Sequence, residues 1–277
     1  MDQSIKLSPI GEGIRYIFPV ILIKIHFLCR KIICIAKIRE SVNFIDMILL
    51  NLIQVILIAI WTLLFCYVIT LLLPPKATLW LAVRLWAPVT IFLTMSRLKV
   101  EGLENLDPKK HYIFMANHSS FFDIPAIFWG SRRELHFMVK EELKHNIFTG
   151  FVCKKMHMIF IDRSNAQKTT SSMRKAIELI SEGMDIAIYP EGTRTKTGEL
   201  GVFRKGGFKL AINSQTDIVP VTIKKSAKAW SRNNIRFSPT IVTVHFDKPI
   251  SVQGVEERDA AKISAQVFET IKQELQK

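Results

Sequence analysis

A chain of 277 residues holds one sizeable core domain with length left for an appendage, which excludes a small fold stapled by disulfides. Hydrophobic residues make up 49% of it and the mean hydropathy is +0.22, high for a soluble protein with 22% charged residues, so part of the chain is expected to meet lipid. The formal charge of +14 suits nucleic acid, anionic headgroups or an acidic carrier, and the long uncharged segments that follow turn the choice to the membrane surface, with no nucleic-acid partner.

Residues 1–40 mix Ile17, Phe18, Val20, Ile21, Leu22 and Ile23 with Lys24, Arg30, Lys31, Lys37 and Arg39, too many charges for a spanning helix. Basic and apolar residues together point to an interfacial segment. From Met47 to Leu73 there is no charge at all, and Pro74-Pro75 closes the run, a length able to cross a bilayer core of roughly 30 Å. A second apolar run, about 79–95, carries Arg84 and Pro88 and reads better as half-inserted or interfacial. The two form a hairpin dipping into one leaflet, or the first spans while the second lies flat; a buried helix pair is the alternative. Residues 1–96 are thus expected to be an N-terminal membrane-associated helical region.

The composition changes after Arg97. Strand-like runs follow at Tyr112–Ala116, Leu135–Val139, Met156–Ile161, Asp185–Tyr189, Ile218–Ile223 and Ile241–Phe246. Between them lie helical patterns, clearest from Ser164 to Ile180, where Met173, Ala176, Ile177 and Ile180 share a face and Gly183 stops the run. The last helix spans Val255 to Leu275, with Ile263, Val267, Ile271 and Leu275 on one face. Residues 97–277 therefore read as an α/β domain with a mostly parallel sheet flanked by helices and a site at the carboxyl ends of its strands. The cysteines Cys29, Cys34, Cys66 and Cys153 form no C-x-x-C pair, so reduced thiols, a domain facing the cytosol and no metal centre are expected.

Two motifs carry chemistry. Asn117-His118-Ser119-Ser120-Phe121-Phe122-Asp123 ends an apolar strand, and a carboxylate five residues after a histidine can fix its tautomer and leave the other ring nitrogen to take a proton. No G-x-S-x-G elbow is present, so direct attack by an acceptor hydroxyl is simpler than a covalent acyl-enzyme. Tyr189-Pro190-Glu191-Gly192-Thr193-Arg194 ends a second strand in a tight loop whose arginine offers a bidentate fork to phosphate.

With Ile159-Phe160-Ile161-Asp162-Arg163, Ile218-Val219-Pro220-Val221-Thr222-Ile223 and Lys140-Glu141-Glu142-Leu143, these motifs resemble, in order, those of the glycerophospholipid acyltransferase family. The resemblance covers about Leu98 to Ile250. It implies transfer of a fatty acyl group from acyl-CoA or acyl carrier protein, as donor substrate and not cofactor, to a lysophospholipid hydroxyl at a membrane, above all the sn-2 hydroxyl of lysophosphatidic acid. Under it, His118 is the base and Asp123 its orienting carboxylate. Lys140, Arg163 and Arg194 bind the acceptor phosphate, Asn117, Glu191, Gly192 and Thr193 belong to the same substrate site, and Pro220 lies near the acyl path. Glycerol-3-phosphate or another lysolipid is the alternative acceptor. A non-catalytic lipid-binding protein is the alternative class, against which the intact base and carboxylate argue. The chain departs from the pattern at His157, which stands where the second motif usually has glycine, ahead of the loop that carries Arg163.

Overall fold

The computed structural model describes residues 44–147, 149–162, 166–195, 199–230 and 236–277, the side chains of 44, 45 and 166–168 excepted. The chain divides into two compact units, Met1–Leu50 and Asn51–Lys277. Of the first, only the opening turns of a helix are described, and the interfacial segment expected in 1–40 lies outside the described residues.

That helix, α1 (Phe44–Leu63), runs on through a π-helical stretch (Leu64–Ile69) to a last turn, Thr70–Leu72. Pro74 and Pro75 then stop one helix and begin the next, since proline at the first helical position forfeits no bonded N–H. The second apolar run therefore starts at Pro75, earlier than its composition indicates. It comprises α2 (Pro75–Leu81), a π-helical stretch (Ala82–Trp86) and α3 (Ala87–Leu93). The π-helical stretch ends just before Pro88, where the missing N–H breaks the regular ladder. Asp46–Leu72, 27 residues, and Pro75–Leu93, 19 residues, are each long and apolar enough to cross a membrane by length and composition.

Among the described residues, seven strands form one sheet in the order β1-β7-β6-β2-β5-β3-β4. They are β1 (Arg97–Glu101), β2 (Ile113–Ala116), β3 (Leu135–Lys140), β4 (Ile159–Ile161), β5 (Asp185–Ile188), β6 (Ile218–Lys224) and β7 (Ile241–Phe246). Only the β6–β7 pairing is antiparallel. The helices between and after them are α4 (Asp123–Ser131), α5 (Gly150–Lys155), α6 (Ala166–Ser181), α7 (Gly206–Asn213), α8 (Ser226–Ala229) and α9 (Ala260–Gln276). The central strand β2 is buried on both faces, as parallel strands between helical layers are. Phe114 and Ala116 join a core with α2, α3 and α4, while Ile113 and Met115 join another with α6, α7 and α9.

The edge strand β1 is the element that apolar runs miss, because three of its five residues are charged and only Leu98 and Val100 pack inward. Met156 and His157, read as the start of a strand, instead close α5, and β4 begins at Ile159. The His157 N–H reaches the Lys154 carbonyl and the Met158 N–H the Cys153 carbonyl, the Schellman pattern. His157 itself takes the left-handed conformation, φ +54°.

The topology brings the two chemical motifs together. Strand β2 lies between β5 and β6, with Met115 opposite both Ile188 and Pro220. The chain after β2 and the chain after β5 therefore leave the sheet side by side, carrying His118 and the 189–194 loop.

Candidate active site

Asp123 opens α4 and is fully buried, and its Oδ2 collects three donors. The His118 Nδ1 lies 2.8 Å away, and the backbone amides of Ser119 and Ser120 donate to the same oxygen, each at 2.8 Å. Two amides from the turn and one from the ring complement a negative charge, and the geometry leaves Nε2 as the ring nitrogen that Asp123 does not engage. His118 is 15% exposed. The turn is locked by its hydroxyls, since Ser120 Oγ donates to the Trp230 carbonyl at 2.6 Å and Ser119 Oγ lies 2.9 Å from Ser226 Oγ.

Glu191 ties this turn to its neighbour. The His118 N–H donates to its Oε1 at 2.7 Å and the Gly201 N–H to its Oε2 at 2.9 Å. Burial pushes the Glu191 carboxyl up, against the lowering effect of these amides. The approach is close, because a Cβ at 201 would fall 2.8 Å from Glu191 Oε2 and the carboxylate would have to shift. The His118 carbonyl in turn accepts from the Thr195 N–H at 2.9 Å. Gly192 takes φ +74°, the left-handed turn that folds the 189–194 loop back over the strand end.

The ring of Tyr189 stacks on the imidazole and also on that of Phe137, with the Tyr189 and Phe137 centroids 5.9 Å apart. Burial raises the Tyr189 phenol well above its usual range, with the nearby Asp123 charge adding to it. Its hydroxyl is buried and has no hydrogen-bond partner among the described residues.

His118 opens on a cavity of about 500 Å³ with a mainly apolar wall that includes Phe65, Trp86, Phe128, Phe137 and Met158. The same lining includes Lys140, Gly192, Thr193 and Arg194. The Arg194 guanidinium carbon lies 3.5 Å from the centroid of the Phe121 ring, a cation–π contact within the same cavity lining. Five of the ten residues picked from sequence thus share one cavity, and Asp123 stands behind His118. Three others serve the scaffold around it. Asn117 exchanges two bonds with Ile223, its amide donating at 3.0 Å and accepting at 2.7 Å, which stitches the end of β2 to β6. Glu191 is engaged by the two amides. Pro220 is buried within β6 and does not line the cavity. Arg163 lies outside the described residues.

Two functional candidates escaped sequence reasoning, Tyr189 and Phe121. Each stands inside a recognised motif, but the stack and the cation–π contact depend on ring planes that spacing does not encode. His157 lines a separate cavity with His111 and His136, so its departure from glycine does not enter the His118 cavity. Among the described residues, Glu101, His245 and Glu274 bring ligand atoms within 4.8 Å of one another, but Lys99, Lys224 and Lys277 pair with the two carboxylates, and none of the three lines this cavity.

Residues 97–224 match the family described as Acyltransferase. The chain is 28% identical over 188 residues to the 1-acyl-sn-glycerol-3-phosphate acyltransferase of Borreliella burgdorferi, covering 68% of this chain and 75% of that one. It is 30% identical over 201 residues to the protein of the same name from Saccharomyces cerevisiae, covering 70% and 66%. For the protein of that name from Limnanthes douglasii the identity is 32% over 155 residues, and the chain spans 54% of that relative's length. The crystal structure of the 1-acyl-sn-glycerophosphate acyltransferase of Thermotoga maritima shares the fold, with a TM-score of 0.70 at 23% identity, covering 84% of this chain and 95% of that one.

Proposed function

We propose, from the match of residues 97–224 to the Acyltransferase family, that the protein is a membrane-bound lysophosphatidic acid acyltransferase. It moves a fatty acyl group from a thioester of coenzyme A or acyl carrier protein to the sn-2 hydroxyl, giving phosphatidic acid. The observation that carries this reading is the His118–Asp123 pair at 2.8 Å, opening on a mainly apolar cavity whose lining includes Lys140 and Arg194.

In this scheme the acceptor phosphate is held by Arg194 and Lys140, and the acyl chain lies along the apolar wall. His118 Nε2 takes the proton of the acceptor hydroxyl as its oxygen attacks the thioester carbonyl. The tetrahedral intermediate collapses, the carbon–sulfur bond breaks, and the imidazolium returns its proton to the leaving thiolate. Asp123 holds the ring and balances the imidazolium charge. General-base assistance of this kind supplies roughly a hundred- to ten-thousand-fold, and phosphate anchoring supplies orientation. The scheme uses no metal or cofactor. The two long apolar helices support a membrane location, and the free Cys66 and Cys153 fit a domain on the cytosolic side.

The test is an assay of purified protein on a panel of lysolipids and glycerol-3-phosphate with both thioesters, read by mass spectrometry of the product. Phosphatidic acid is expected, abolished by His118→Ala and by Asp123→Asn while membrane association persists. Transfer to a different acceptor alone would reassign the substrate. No transfer to any acceptor with either donor would make the protein a lipid-binding one instead.

A further inference from the structure

The segment between β3 and β4 carries apolar side chains that the core does not use. Ile147 is 74% exposed and Phe151 is 41% exposed, although both belong to a segment whose opposite side, at Leu143, Val152 and Cys153, lines the His118 cavity. On α5 this is an amphipathic division, with Val152 and Cys153 turned to the cavity and Phe151 and Lys154 turned out. Exposed apolar residues signify a partner only where they join a contiguous patch.

The same segment is pinned to the apolar helix. The Tyr67 hydroxyl donates to the Ile147 carbonyl, and the Lys155 ammonium donates to the carbonyls of Thr70 and Leu71. Around these contacts the helix presents its own uncovered apolar residues, with Leu71 at 65% and Leu72 at 74% exposure. Ile147 and Phe151 therefore extend an apolar surface that begins on a helix able to enter a bilayer. Exposed Lys154 follows on the same helix, a cation placed to meet anionic headgroups while the apolar side chains enter lipid.

We propose that the β3–β4 segment is a second membrane-contact element, which inserts Ile147 and Phe151 at the headgroup–acyl boundary of an anionic leaflet. This rests on the reading of the chain as a membrane enzyme and adds a consequence to it. One wall of the acyl-sized cavity is then the inner face of a lipid-contacting segment, so a lysolipid and its product move between leaflet and His118 without crossing bulk water.

A single cysteine at position 147, in full-length protein with Cys29, Cys34, Cys66 and Cys153 replaced by alanine, takes an environment-sensitive fluorophore; Lys262→Cys on α9 provides the control. Both are mixed with phosphatidylcholine–phosphatidylglycerol vesicles carrying nitroxide-labelled acyl chains, and vesicle binding is followed in parallel by sedimentation. Strong quenching at 147 and none at 262 is expected. The double variant Ile147→Glu/Phe151→Glu should bind the vesicles about tenfold more weakly or worse, while retaining turnover of short-chain substrates dissolved in water. Vesicle binding with no quenching at 147 overturns the proposal and leaves the membrane reading intact. Failure to bind vesicles at all overturns both.

Discussion

The ring of Tyr189 lies face to face with the imidazole of His118, centroids 4.0 Å apart and planes 14° from parallel. An aromatic face stabilises a cation above it by up to about 2 kcal/mol when water is excluded. In acyl transfer the imidazolium exists only after the hydroxyl proton has moved, so this contact favours the transition state over the ground state. Tyr189→Leu is expected to lower kcat by about tenfold or more with little change in acceptor KM, and Tyr189→Phe to keep kcat. Because the Tyr189 hydroxyl is buried without a partner among the described residues, the phenylalanine variant should also melt higher, by about 1 kcal/mol of stability. Steady-state kinetics and thermal unfolding on the same two variants check both statements.

Arg194, over the Phe121 ring and in the cavity lining, is a candidate to grip an anion with its guanidinium group. Arg194→Ala should raise KM for a phosphate-bearing acceptor by about tenfold or more, the scale of a charge-assisted bond. It should leave KM unchanged for an acceptor without phosphate. Phe121→Ala should reproduce a weaker form of the same defect, since it frees the guanidinium plane.

His157 occupies a left-handed C-terminal cap where a non-glycine residue costs roughly 1–2 kcal/mol, part of it recovered because glycine gains more freedom on unfolding. His157→Gly is expected to raise stability by about 1 kcal/mol or less, read from the urea midpoint. Acceptor preference across the lysolipid panel should not move, because the residue lines a different cavity from His118.

Helix α9 is fastened to β6 through Glu274, which accepts from Lys224 at 2.7 Å and from Lys277 at 2.8 Å. Burial alone pushes this carboxyl up, but the two lysine bonds outweigh it and lower it to about 2. The folded state thus binds the Glu274 proton less readily than the unfolded chain. The stabilisation is fully present above the ordinary value of 4.5 and is lost as pH falls through about 2. Glu274→Gln should cost about 1 kcal/mol at neutral pH, allowing for solvent screening of the lysines. Its Tm should converge on that of the parent protein as pH falls from 4.5 toward 2.

Much of this architecture is legible in the chain because short stretches rich in apolar residues mark β2, β3, β5, β6 and β7. The histidine and arginine motifs declare themselves at the ends of two of those strands. What spacing does not encode is the direction of side chains at those ends. Asn117 and Glu191 look like ligands in sequence because they flank the base and the arginine. Both turn toward backbone groups instead, since strand ends and tight loops leave amides and carbonyls that need partners. Strand β1 hides behind its charges, and the His157 cap looks like a strand because its neighbours are apolar.

The missing Cβ of Gly201 has a consequence for genetics. Any side chain there must displace the Glu191 carboxylate, which holds the His118 amide, so a change ten residues from the nearest motif glutamate reaches the base through one shared carboxylate. A screen for inactive alleles will therefore return Gly201, Glu191 and Asn117 together with His118 and Asp123. Abundance in the cell sorts them, since alleles that lose only the proton-transfer pair accumulate normally, whereas those that loosen its frame are cleared.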